Sequence, residues 1–141
     1  MRFLCALAMG LVMLFLVACG GDNQQGGIAT RAQSAPANSL SASEAKENIG
    51  SRTTVCGEVK SPTYASGTRG QPTFLNLDQP FPNQIFTIII WGNNRGNFPE
   101  SPESLYRDER VCVTGLIESF RGVPQIEATS SNQIQIIRWP P

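Results

Sequence analysis

Apolar and polar positions alternate most cleanly in two places, and those places share a pattern. Residues 110–126, RVCVTGLIESFRGVPQI, step between small or β-branched residues and polar ones, break at Arg121-Gly122 and resume through Pro124 to Ile126. Alternation, a Gly-Pro break and a restart predict a half-buried β-hairpin. Earlier, Val55 to Ser61 and then Arg69 to Phe74 repeat it: Gly-x-(Val/Ile)-x-Ser, followed by Arg-Gly-x-Pro-x-apolar. Two related hairpins in so short a span imply an all-β domain, a small closed barrel.

The remaining elements follow from the same pattern. Ser43 to Gly50 predicts one or two helical turns, with Ser43 as N-cap, Glu44 in the first turn and Gly50 as the stop. Ala45 and Ile49, four apart, would face the barrel. The first strand runs from Thr53 to about Tyr64, with Val55, Gly57 and Val59 on one face and Thr54, Cys56 and Glu58 on the other. Gly57 inside that strand marks a bulge or a sharp bend. Ala65–Gly70 is a hairpin loop. The second strand, Pro72 to Asp78, sets Leu75 and Leu77 opposite Phe74 and Asn76, and residues 79–83 turn the chain. The third, Ile85 to Trp91, is strongly β-branched, with Phe86, Ile88 and Ile90 as core and Thr87, Ile89 and Trp91 outside. After a Gly- and Asn-rich loop, Ser101 to Tyr106 predicts a short helix with Ser101 as N-cap and Pro102 at its first position. The fourth strand is Arg110 to Phe120, the fifth Pro124 to Thr129, and Ile134 to Ile137 adds a last strand piece.

Composition changes the picture mainly at the N-terminus. Phe3 to Val17 is apolar and uncharged behind Arg2, too short for a transmembrane helix, so residues 1–18 read as a targeting segment. The stretch Leu16-Val17-Ala18-Cys19 resembles the bacterial lipoprotein lipobox. That resemblance implies cleavage before Cys19, acylation of its thiol and new amine, and anchoring to a membrane. Localisation would be the cell envelope, on the periplasmic side of the outer membrane or at the cell surface. Residues 19–42 are then a lipidated Cys and a flexible linker of Gly, Gln, Ser, Ala and Asn, which holds too little apolar surface to fold. The folded domain spans 43–141. The 11 basic and 11 acidic residues cancel, and removal of Arg2 with the leader leaves the acids in excess by one. No strong field advertises an anionic partner.

The order β-β-β, short helix, β-β, with glycines in strands one and four, resembles the OB-fold, a five-stranded Greek-key barrel. More narrowly it resembles small bacterial OB-fold lipoproteins of the nucleic-acid-binding type. The residues that carry this are Thr54-Val55-Cys56-Gly57-Glu58-Val59, Phe74-Leu75-Asn76-Leu77-Asp78, Phe86 to Gly92 and Val113-Thr114-Gly115-Leu116-Ile117. In that fold strands one and four are antiparallel neighbours. Cys56 and Cys112, both on the face opposite the core, would then either form a cross-strand disulfide, which an exported location permits, or stay as two half-buried thiols. A metal site would need further ligands, and the chain has no histidine.

The lack of histidine also removes the commonest general base. Asp78, Asp108 and Glu109 show no catalytic spacing: Asp78 reads as a turn cap and the other two as a solvated turn. The expectation is a binding module, not an enzyme, with no cofactor. OB-folds bind through the face of strands two and three and the one-two and four-five loops. On this chain the resemblance implies a face of Phe74, Asn76, Thr87 and Trp91, with Tyr64, Arg69, Phe120 and Arg121 from the loops. The competing reading has Phe74 and Trp91 sealing the barrel. The ligand expected is an envelope protein or an oligosaccharide. The alternative is single-stranded nucleic acid, which aromatics interleaved with Arg suit but the charge balance does not.

Overall fold

A computed structural model describes residues 34–138. The leader 1–18, Cys19 and the first part of the linker lie outside the described residues.

The fold is all-β with few helices. Eight strands form one mixed sheet: β1 (Leu40–Ser41), β2 (Arg52–Tyr64), β3 (Thr73–Leu77), β4 (Thr87–Ile90), β5 (Arg110–Leu116), β6 (Glu118–Phe120), β7 (Val123–Glu127) and β8 (Ile134–Ile136). The order is β6-β7-β4-β3-β2-β5-β8, with β1 laid parallel on β2. All other pairings are antiparallel except β4 with β7, which is parallel. The long β2 serves two neighbours: its first half, through Glu58, pairs with β5 and its second half with β3. The register against β3 shifts between Val59 and Ser61, so the irregularity sits just beyond Gly57 rather than at it. Gly57 has a different reason to be glycine. A Cβ there would lie 3.0 Å from both Leu77 Cβ and Asp78 Oδ1.

Period-two alternation puts the apolar phase inside. Val55, Val59, Leu75, Leu77, Phe86, Ile88, Ile90, Val113 and Ile117 are fully buried, together with Ile126 and Ala128 from β7 and the residues after it. Burial of each such side chain contributes roughly 1.5–3 kcal/mol. Cys56, Cys112 and Ile137 make a second, smaller cluster apart from this core.

Several boundaries differ from the expected ones. Leu40–Ser41 is a strand and Ala42 is completely buried, both ahead of the expected domain start at Ser43. The first helix is a single 3-10 turn, Ala45–Asn48, capped at Glu44. Its entry is held by the Glu44 carboxylate, which accepts from the Ser41 N–H at 2.8 Å and the Ser41 hydroxyl at 2.7 Å. The turn ends at Asn48, so Ala45 is buried while Ile49 is exposed. The short helix α1 (Pro102–Leu105) has Ser101 at its N-cap, but that hydroxyl bonds the Ser104 hydroxyl rather than a backbone N–H. The expected fourth strand is two pieces, β5 and β6, divided at Ile117. There the Ile117 N–H still donates to Ser51 and its carbonyl accepts from Gly50, after which the chain turns to pair with β7.

Candidate functional site

The outward phases of β3, β4 and β7 meet in one row. Asn76 pairs with Thr87 and Thr87 with Gln125, while Ser61 on β2 lies beside Asn76 and Glu118 on β6 beside Gln125. Over this row lies a groove of about 420 Å³. Thr63 and Ala65 bound it on the β2 side, Phe74, Asn76 and Thr87 make its floor, and Val123 and Gln125 line the β7 side. Phe81 and Gln84, from the connection between β3 and β4, and Phe120 and Arg121, from the β6–β7 hairpin, complete it. The volume falls within the usual range for ligand pockets.

The floor is polar but closed on itself. The Thr87 hydroxyl donates to Asn76 Oδ1 at 2.9 Å, and Asn76 Nδ2 donates to Ser61 Oγ at 2.9 Å. The Phe81 backbone N–H also donates to Ser61 Oγ, at 3.0 Å, which ties the β3–β4 connection down over the sheet. These bonds explain why Thr87 and Asn76, in the outward phase, are only 6% and 4% exposed. One acceptor is left over: the Gln84 side-chain oxygen is buried without a hydrogen-bond partner. The rims, by contrast, are apolar and open. Phe81 is 71% exposed and Phe120 58% exposed.

The β6–β7 hairpin that carries Phe120 turns in two residues, Arg121 and Gly122, with φ of 51° and 83°. Both central residues in the left-handed region make a type I′ turn, whose twist matches the flanking strands. Gly122 adopts this freely. Arg121 does not, and its guanidinium sits 5.3 Å from the Phe120 ring centroid. Among the described residues that line the groove, Arg121 is the only charged one.

Of the eight side chains expected at the site, five gather here: Phe74, Asn76, Thr87, Phe120 and Arg121. The other three do not line it. Arg69 is exposed in the loop after β2. Trp91 keeps the outward phase of Thr87 and Ile89, but β4 ends at Ile90. The Gly92 N–H then donates to the Gly70 carbonyl, and the indole is drawn over Gly70, where a Cβ would meet its ring at 3.0 Å. Trp91 thus belongs to a separate shallow pocket with Gly70, Gln71, Gly92 and Asn93.

Tyr64 alternates with the groove residues Thr63 and Ala65 and pairs with the buried Thr73, so it faces away from the groove. The Arg95 guanidinium carbon lies 3.7 Å from its ring centroid. Arg95 also donates to Glu103 through Nη1 at 2.7 Å and Nη2 at 3.1 Å, and to the buried Thr73 hydroxyl. The hydrogen bonds from Arg95 hold the Glu103 carboxyl below the usual carboxylate range, and the same bonds raise Arg95. A planar, bidentate, stacked arrangement is what Arg provides and Lys does not. It fastens the loop after β4 and α1 to the end of β2. Nothing in the spacing of Tyr64, Arg95 and Glu103 announces this cluster. Phe81 was equally hidden, as a single aromatic between prolines in a turn.

The carboxylates expected in turns sit in turns. Asp78, at φ 61°, accepts the Glu58 N–H on Oδ1 at 2.8 Å and so caps the end of β3 against β2. Asp108 is exposed in the turn before β5, at φ 57°. Cys56 and Cys112, paired in register across β2 and β5, are joined by a disulfide, with sulfurs 2.04 Å apart. Among the described residues no three of His, Cys, Asp or Glu gather as a metal site.

No family model matches the chain, and no curated protein matches it. Solved structures do. An OBody, AM1L10, bound to hen egg-white lysozyme is similar at TM-score 0.49 and 16% identity, over 76% of this chain and all of that one. A second OBody, AM3L15, also bound to hen egg-white lysozyme, gives 0.48 and 16%, over 74% of this chain and 98% of that one. A protein described as an aspartyl-tRNA synthetase from Leishmania major Friedlin gives 0.46 and 8%, over 78% of this chain but 22% of that one. At these identities and scores the likenesses assign neither a ligand nor an activity to this chain.

Proposed function

We propose that this chain is an exported, lipid-anchored binding module without catalysis, built on a five-stranded Greek-key OB-fold barrel. In this reading β2, β3, β4, β5 with β6, and β7 are its five strands. The support is the strand order, with β4 and β7 parallel, and the single residue that separates β5 from β6 as the chain changes partner from β2 to β7. The lipobox resemblance at Cys19 supports anchoring in the cell envelope, where the ligand would be an envelope protein or an oligosaccharide.

The observation that carries the binding reading is the groove itself, and above all the exposure of Phe81 and Phe120 on two of its edges. Leaving a large aromatic side chain in water forgoes roughly 1.5–3 kcal/mol of burial each. Two such rings on the edges of one cleft support a reading in which another molecule covers them. Against catalysis stand the absence of histidine and the engagement of Asp78 in the backbone.

The test uses the immobilised full chain exposed to solubilised envelope extract, with retained protein and retained saccharide both assayed. The native chain should retain a component that the Phe81→Ala/Phe120→Ala variant does not. Equal retention by the two would refute the groove as the binding site. Cys19→Ser should release the chain from the membrane fraction or block its processing, and normal membrane retention of that variant would end the lipoprotein reading.

A further inference from the structure

We infer that β8 is a self-pairing edge, through which two copies of this chain join their sheets across a two-fold axis at Gln135. Among the described residues β8 ends the strand order and pairs with β5 alone. The Ile137 N–H donates to the Arg110 carbonyl, and Ile136 lies opposite Val111. Bonded and non-bonded pairs alternate along an antiparallel ladder, so Arg110 with Ile137 and Cys112 with Gln135 are the bonded ones. The N–H and carbonyl of Ile136, and the carbonyl of Ile134, then point away from β5 along the open edge. The Ile134 N–H does not join them, because it turns back to the Ser131 carbonyl. Sheet edges that stay single commonly carry a charge or a proline. β8 reads Ile-Gln-Ile and has neither.

The surface beside this edge has the same character. Between β8 and α1 lies an open groove of about 510 Å³, walled by Leu105, Tyr106, Ile134 and Ile136. None of the described residues that line it is charged. Leu105 and Ile136 are only partly buried where they pack on the core.

Self-complementarity selects a second copy as the occupant. A two-fold axis at Gln135 sets Ile136 of each copy opposite Ile134 of the other. Each Ile136 N–H then meets the carbonyl of the other copy's Ile134, and no donor faces a donor. Side chains directly opposite one another share a face. The second copy's Ile136 therefore comes down beside Ile134, on the core side where Leu105 packs, and covers apolar surface that a single copy leaves in water. Gln135 meets its counterpart on the other face, that of Cys112. This axis pairs the whole length of the strand, whereas one at Ile136 would run past its end. A charged partner strand gains nothing from an edge and groove without charge, and two neutral edges meet without repulsion. Three residues a side make a small interface, so the pairing is weak and reversible.

The experiment is a nuclear magnetic resonance dilution series of the full chain in detergent, with micelles in large excess so that they do not bring chains together. The Ile136 amide and Leu105 methyl signals should shift together on dilution, with a Kd below about 1 mM. Ile136→Pro removes the outward donor from both copies while sparing every bond to β5, and should weaken the pairing by about tenfold or more. Gln135→Lys and Gln135→Glu each set like charges opposite one another at the axis, so each alone should weaken it by about two- to fivefold. An equal mixture of the two charge variants should pair at least as well as the native chain. A spectrum that does not change with concentration overturns the inference. So does unchanged pairing in any of the three variants, or a mixture that pairs no better than its components. Concentration-dependent shifts centred on Phe81 and Phe120 would put the contact on the other groove and overturn the β8 edge. A chain that stays single, yet whose Ile136 amide shifts with the extended probe acetyl-Val-Thr-Val-Thr-Val-amide, overturns the second copy in favour of a foreign strand.

Discussion

Gly115 faces the core from β5, opposite Thr53 of β2, and it is the residue over which β7 comes closest. An added Cβ would lie 2.4 Å from Ile126 Cγ2, well inside the distance that real Cβ atoms show. The obstacle is no flexible tip, since Cγ2 is bonded to the Cβ of a fully buried side chain. Gly115→Ala therefore forces Ile126 off its rotamer or moves β7 away from β5. Overpacking of this kind costs about 1–3 kcal/mol. Loss of chain freedom in the unfolded state returns about 0.4–1 kcal/mol. We expect a net destabilisation of about 1–2 kcal/mol and a fall in Tm of about 4–8 °C for each kcal/mol. Urea and thermal unfolding by circular dichroism read it directly. Ile126→Ala alone should cost about 2–5 kcal/mol, but it removes the obstructing methyl. The double variant should therefore cost less than the sum of the singles by about 0.5–3 kcal/mol. Gly122 is the control: nothing lies within 4 Å of its added Cβ, and only its φ of +83° opposes alanine. Gly122→Ala should destabilise by about 1 kcal/mol through backbone strain and show no coupling to Ile126→Ala. A Gly115→Ala variant as stable as the native chain, or additive with Ile126→Ala, would refute the reasoning.

Three further outcomes follow from particular contacts. Glu103→Gln should lower the urea midpoint at pH 7, since it breaks the bidentate pair with Arg95 and leaves a mostly buried guanidinium over Tyr64. The folded carboxyl is held below its unfolded value, so its contribution is present above about pH 4.3 and is lost as pH falls through the folded pKa; native and variant midpoints that fail to converge towards pH 3 would contradict this. Reduction of the Cys56–Cys112 disulfide, which spans 56 residues, should cost about 4 kcal/mol in the chain-entropy model, read as the shift in urea unfolding with and without dithiothreitol. Arg121→Asn should stabilise the hairpin by about 0.5–1 kcal/mol, because asparagine tolerates the left-handed backbone that Arg121 adopts at φ 51°, and an unchanged or lower Tm would disprove the strain.

What was legible in the chain was what depends on near neighbours. A strand alternates every two residues, so the core phase of Val55, Val59, Leu75, Leu77, Phe86, Ile88 and Ile90 could be read from spacing alone, and all are fully buried. The same local rule gave Phe74 and Asn76 one phase and Thr87 the outward phase of its own strand, the fold resemblance set them on one face, and they do floor the groove. The rule failed where an element stopped. Trp91 shares the phase of Thr87 but lies one residue past the end of β4, and a loop bond decides where its ring goes. Ile49 shares the expected helical face with Ala45, yet the 3-10 turn ends at Asn48.

Local pattern therefore determined the all-β class, the inward and outward phases and the position of the hairpin at Arg121-Gly122. Tertiary structure alone decided which loops close over which strands. Phe81 and Gln84 reach the groove because the connection between β3 and β4 is tied to Ser61, twenty residues upstream of Phe81. Arg95, far along the chain, lies on the Tyr64 ring and pairs with Glu103, which fastens the loop after β4 to the end of β2. Gly115 must be glycine because Ile126 arrives from another strand. Each depends on contacts between distant residues, and no periodicity along the chain encodes those; they follow only once the sheet has brought its strands together.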